Sequence, residues 1–138
     1  MKKSTKIILA VLGVGGVAAL VLPLLLFSYL FGDLCRNEVD GRYASPDGRH
    51  ELVVFNRSCG ATTSFSTQAS LLEAGRELPN DSGNLFVADT NRGEAPTGEL
   101  RVRWDGPRFL TLSYHEKCQV FLAEKKRDGV RVWYVTFR

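Results

Sequence analysis

Between Ile7 and Phe31 the chain runs for 25 residues without a single charge. As a helix rising 1.5 Å per residue, this run reaches roughly 37 Å, more than the ~30 Å hydrocarbon core of a bilayer. Nothing else in the chain constrains it as strongly, because a small domain has too little core to hide such a segment. A cleaved signal peptide is the competing reading. Signal segments have apolar cores of about 7–15 residues that end in small residues. Here the run is longer and gives way to Tyr29, Leu30, Phe31, Gly32 and Asp33. A lipoprotein signal needs a small residue just before its cysteine, whereas Leu34 precedes Cys35. An uncleaved signal anchor is therefore expected. Pro23 is expected to distort this helix locally by removing a hydrogen bond. Gly15 and Ala19 form a small-xxx-small pair that leaves a homodimer open.

The flanks set an orientation. Lys2, Lys3 and Lys6 precede the run; Asp33, Arg36, Glu38 and Asp40 follow it. The positive-inside rule then makes residues 1–6 a cytoplasmic flank and 7–31 the transmembrane helix of a cytoplasmic (inner) membrane. Residues 32–44 read as a stem, and 45–138 as a periplasmic or otherwise extracytoplasmic β domain. Those three lysines are part of the 18 basic residues, so 15 remain against 15 acidic ones. A domain this close to neutral argues against a nucleic-acid partner, which needs concentrated positive charge.

After the anchor, no stretch keeps a helical period over three turns, and strand signals recur between turn residues. Ser45-Pro46-Asp47-Gly48 is a turn and Leu52–Phe55 a strand buried on both faces. Phe65, Thr67, Ala69 and Leu71 alternate with Ser64, Ser66, Gln68 and Ser70, which predicts a half-buried strand. Residues 73–84 and 90–98 read as loops, with a short strand at Leu85–Ala88 between them. Leu100, Val102 and Trp104 alternate with Arg101 and Arg103, and a turn at Asp105-Gly106-Pro107 leads to Leu110, Leu112 and Tyr114. Val120–Ala123 and Val130–Phe137 read as a closing hairpin around Arg127-Asp128-Gly129. About seven short strands predict an all-β fold, a small antiparallel sandwich or open barrel.

Three cysteines in an oxidising space allow one disulfide in three ways. Cys35–Cys59 would close a loop worth roughly 3 kcal/mol on the chain-entropy account. Cys59–Cys118 is the alternative, and the leftover thiol is either buried or free to link two chains. Cys59-Gly60-Ala61-Thr62-Thr63 with Ser66-Thr67-Gln68 is an unusual string, accompanied by the Ser45-Pro46-Asp47-Gly48 turn and Gly83–Asp89. Over about residues 35–137 it resembles a group of uncharacterised small membrane-anchored bacterial envelope proteins with an SPDG turn and a CGATT string. The resemblance implies an envelope location rather than a chemistry. It also implies cysteines equivalent to Cys35 and Cys59 across the group, which favours that pairing and leaves Cys118 peculiar to this chain.

Catalysis needs groups of tunable pKa at workable spacing. The chain offers His50 beside Glu51 and His115 beside Glu116, either a conceivable base for Cys59 or Cys118. That thiol-enzyme or redox reading is weaker than one of strand-end histidines and structural cysteines. No Cys-x-x-Cys or His-Glu-x-x-His spacing suggests zinc, and Asn80–Asn84 with Asp89 and Asn91 reads as turns rather than a calcium loop. No catalytic, cofactor or metal site is expected. Trp104, Trp133, Tyr134 and Phe137 are expected to be core or interface aromatics, and Arg101 and Arg103 either to pair with acidic residues on a neighbour strand or to form a small cationic patch. The favoured function is a non-catalytic single-pass membrane protein whose outer domain binds a protein or envelope component, with an immunity or inhibitor role as one specific form.

Overall fold

The computed structural model describes residues 2–31, 34–60 and 65–138. The chain divides into two compact units that meet between Leu34 and Cys35. The first is helix α1, Lys3–Phe31, which runs through Pro23. Its Lys3–Leu30 stretch has a mean hydropathy of 2.6 and is long and apolar enough to cross a membrane. Ile7, Val14, Leu20 and Leu26, on different sides of the helix, all stand more than half exposed. A helix apolar all round is suited to lipid or to a larger core.

The second unit is a two-layered β sandwich. Its strands are β1 Arg36–Ala44, β2 His50–Ser58, β3 Ser66–Glu73, β4 Phe86–Asp89, β5 Arg101–Gly106, β6 Phe109–His115, β7 Gln119–Ala123, β8 Lys126–Arg127 and β9 Val130–Phe137. One sheet has the order β1-β2-β3-β4-β7 and the other β5-β6-β9-β8. Leu52, Val54, Ala69, Leu71 and Phe86 of the first sheet meet Leu110, Leu112, Val130 and Val132 of the second, forming one core. At one side the Trp104 indole N–H donates to the Tyr43 carbonyl at 3.0 Å, joining β5 to β1 across the layers. At the other side the chain itself passes from β7 in the first sheet to β8 in the second.

Several features differ from the sequence expectation. Residues 36–44, read as stem, are β1, paired antiparallel to β2 from Arg36↔Ser58 to Ala44↔Glu51. Ladder hydrogen bonds hold this strand although little of it is buried. A charged edge strand with a bulge, here between Val39 and Gly41, also resists pairing with other chains. Together with the two-residue β8, it raises the count from about seven strands to nine. The closing hairpin is also rearranged. Residues 119–123 pair with β4, not with β9. The chain then makes β8, turns at Asp128 and Gly129 with φ of 49° and 79°, and returns as β9. Both central residues of a type I′ turn need positive φ, which an Asp-Gly pair supplies. β9 runs parallel to β6, the one parallel pair among the described residues.

β3 is buried on both faces from Gln68 to Leu71, and Phe65 lies outside the strand, 67% exposed. The physical reason is a polar lid. The 73–86 connection folds back over the outer face, where the Gln68 Oε1 accepts from the Gly83 N–H at 2.6 Å and from the Ser82 hydroxyl at 3.0 Å. The Ser70 hydroxyl accepts from the Asn84 N–H at 3.1 Å, and the Asn84 side chain brackets the Leu71 backbone. Gln68→Met keeps the volume but leaves the buried Gly83 N–H without an acceptor, a loss of about 1–3 kcal/mol. A lower urea midpoint at unchanged slope is the expected reading; an unchanged midpoint would mean that water serves the loop equally well.

Candidate functional site

Cys35 and Cys59 are joined by a disulfide. The β1–β2 register explains why these two meet: Arg36 faces Ser58, so the preceding and following residues face each other in turn. Polar side chains brace the same end. The Arg57 guanidinium donates to the Asn37 Oδ1 at 2.7 Å, Asn37 donates to the Pro79 and Asp81 carbonyls, and Asn80 donates to the Cys35 carbonyl at 2.9 Å. Asn80, Ser82 and Asn84, among the side chains considered for calcium, are thus used to fasten the 73–84 loop. Asp89 likewise accepts from the Asn91 N–H at 2.7 Å, closing a local turn. Ala61–Ser64, most of the unusual string that follows Cys59, lie outside the described residues.

The thiol and imidazole candidates are separated by their bonding. Cys59 is bonded to Cys35, so its sulfur is no nucleophile while that bond stands. Cys118 is half-buried and free, and its Sγ lies 3.6 Å from the Thr97 carbonyl. Burial pushes its thiol above the ordinary range, which lowers the thiolate fraction at neutral pH. His115 is buried, its Nδ1 accepts from the Lys117 N–H at 3.2 Å, and its ring stands edge-on to Phe137. His50 begins β2 with a buried Nδ1 that has no partner. Among the described residues no group of three or more His, Cys, Asp and Glu side chains gathers as a metal site would require.

What the fold does assemble is the outer face of the second sheet. Register places Arg103, Thr111 and Trp133 in one row, and Arg101, Ser113 and Val135 in the next. Phe109 and Arg131 form the row at one end, with His115 and Phe137 at the other. Trp133 is 62% exposed, Val135 52% and Phe109 45%. Arg101 lies over the Phe137 ring at 3.9 Å and pairs with Glu99 at 3.0 Å. Arg103 pairs with Asp105 at 2.7 Å. Asp105 also accepts from Thr111, and these bonds hold its carboxyl below the usual carboxylate range. Both arginines thus find carboxylates two residues away on the same chain segment, not on a neighbouring strand.

The four aromatics named from sequence divide between roles. Trp104 and Tyr134 face inward. The Tyr134 hydroxyl donates to the Glu124 carbonyl at 2.8 Å, and burial, reinforced by Glu124, keeps its phenol protonated well beyond tyrosine's ordinary range. Trp133 faces out, and Phe137 lies half-buried beneath Arg101. Two grooves open at the Phe109–Arg131 end of the sheet. One, of about 370 Å³, is lined by Lys125, Arg131, Trp133 and Tyr134. The other, of about 320 Å³, is lined by Arg108, Phe109, Lys126 and Arg131. Sequence reasoning missed this end because its cations come from the β5–β6 turn, the β7–β8 connection, β8 and β9, which only the fold brings together.

The fold is an all-β sandwich preceded in the chain by an apolar helix, and the outer face of its second sheet is aromatic and cationic. Compared with known protein families, curated proteins and solved structures, the chain matches none of them.

Proposed function

We propose that the chain is a single-pass protein of a bacterial inner membrane whose β domain stands outside the cytoplasm and binds a protein partner there. The observation that carries this reading is Trp133. A large aromatic at 62% exposure on the outer face of a regular sheet sacrifices burial that a folding core would use, and such residues are enriched at the centres of interfaces. The apolar helix supports the membrane part, and the disulfide suits an oxidising space. An immunity or inhibitor role, neutralising a toxin in the envelope, is one form of this reading.

Two measurements test it. A carboxyl-terminal alkaline phosphatase fusion is expected to be active, with the protein kept in the membrane pellet after carbonate extraction. A freely dissolved protein, or a fusion active only as a cytosolic reporter, sinks the location. A photo-crosslinking amino acid at Trp133 is expected to give a discrete adduct in intact cells, whereas the same group at Glu77, in the loop beside Arg36 and Asn37 of the first sheet, gives none. Equal labelling from both positions, or none from either, sinks the binding reading.

A further inference from the structure

The open edge of β9 gives the partner a chemistry. We propose that residues 133–137 accept an extended acidic segment of a partner protein as an added strand, held at one end by the cations of Lys125, Lys126, Arg108 and Arg131. The proposal rests on the partner-binding reading above. β6 lines one edge of β9 along its length, from Phe109↔Arg131 to His115↔Phe137. β8 lines the other edge only at Val130 and Arg131, and the Lys125 carbonyl then accepts the Val132 N–H at 2.9 Å. Past that point no strand among the described residues pairs with the edge.

Parity shows which backbone groups stand there. The Arg131 N–H donates to the Arg108 carbonyl, and the Phe137 carbonyl accepts from the Glu116 N–H, both on the β6 side. Alternation along the strand then turns the N–H and C=O of Tyr134 and Thr136 to the open side. Burial falls away at the same place: Val130 and Val132 are buried, whereas Trp133, Val135 and Thr136 are exposed. An incoming strand would complete the ladder and cover Trp133 and Val135 on one face. Backbone bonds supply affinity in this mode of recognition, and side-chain contacts supply selectivity.

Charge selects the occupant. Among the described residues, Arg101, Arg103 and Arg127 have carboxylates within 4.0 Å, whereas Arg108, Lys125, Lys126 and Arg131 have no ion pair. In a domain of balanced overall charge, four unneutralised cations beside two grooves complement carboxylates. A second copy fits less well. It brings the same four cations to the edge, and from Gly129 to Arg138 its strand carries no side-chain carboxylate to set against them.

The test uses the full chain in zwitterionic micelles and a fluorescent heptapeptide of alternating glutamate and valine. Binding is expected for this peptide and not for its lysine–valine counterpart, with slowed hydrogen exchange at the Tyr134 and Thr136 amides. Thr136→Pro removes an open-edge donor without touching the β6 ladder and is expected to weaken binding about tenfold. Lys125→Glu combined with Arg131→Glu, both exposed and safe for folding, is expected to weaken it by a similar factor. Equal binding of the two peptides, or affinity unchanged in the charge variant, overturns the proposal. So does protection of the two amides in the free monomer, or protection that arises only on self-association or on adding anionic lipid. Should the Trp133 crosslink form while the peptide fails to bind, strand addition falls and the partner-binding reading stands.

Discussion

Phe86→Ala is expected to cost about 4 kcal/mol, within the range of 3–5 kcal/mol seen for emptying a buried phenylalanine site. Phe86 is 1% exposed and lies in the four-residue β4, the narrowest strand of the first sheet's interior. Its ring lies 5.3 Å from that of Tyr114 and 5.9 Å, stacked, from that of Tyr134. Both partners belong to the second sheet, so this one side chain carries much of the contact between layers. The Tyr134 hydroxyl is held by the Glu124 carbonyl at 2.8 Å and also lies 3.3 Å from the Leu85 carbonyl, so the rings cannot easily collapse into the vacancy. For a domain of this size each kcal/mol moves Tm by roughly 4–8 °C, and a drop of roughly 16–32 °C follows. Thermal denaturation followed by circular dichroism reads it directly. Trp133→Ala is the matched control: it removes a larger ring from an exposed site and is expected to stay within about 0.5 kcal/mol. Comparable losses in the two variants would place Trp133 in the core and remove the case for a binding face.

How much of this was legible in the sequence follows from where the information lies. The helix announced itself through an uninterrupted apolar run, because lipid-compatible segments need no partner to reveal their nature. The strands through Leu52–Phe55 and Leu110–Tyr114 were legible because apolar residues there carry the pattern themselves. β1 was not, since an edge strand of Arg, Asn, Glu and Asp is specified by backbone pairing with β2 rather than by burial. The outer face of β3 misled for the opposite reason: Gln68 and Ser70 look solvent-facing, and only the returning loop shows that they are buried acceptors. Parallel pairing of β9 with β6 was hidden too, because turn chemistry at Asp128-Gly129 predicts a hairpin but not how short its first strand is. The binding face lies at the far end of this scale. Arg108, Lys125, Lys126 and Arg131 are unremarkable singly, and their cluster exists only once the β5–β6 turn meets the segments around β8 and the start of β9.

Cys59→Ser, or reduction of the wild-type chain, is expected to loosen β1 before anything else in the domain. The bond spans 24 positions, and on the chain-entropy account closing such a loop restricts the unfolded chain by about 3 kcal/mol. Its loss falls unevenly. β2 sits between two partners and buries Leu52, Val53, Val54 and Phe55, so it stays with the core. β1 has one ladder neighbour and almost no buried side chain, so beside the disulfide it is held by the ladder and by polar bonds at Asn37, Asp40, Arg42 and Tyr43. Without the bond, β1 amides should exchange at rates approaching those of an open strand while β3, β6 and β9 keep their protection, a local opening below the global transition. Hydrogen exchange read by mass spectrometry, with and without reductant, separates the cases. If β1 and β2 lose protection together, the strand is part of the cooperative core and the bond is not what retains it. If β1 alone opens, the chain entering the domain at Cys35 is fixed to the sheet by a covalent link that survives only in oxidising surroundings. The proposed site outside the cytoplasm would then be a condition for the fold's first strand, and expression in a reducing compartment should yield the same selective loss of protection.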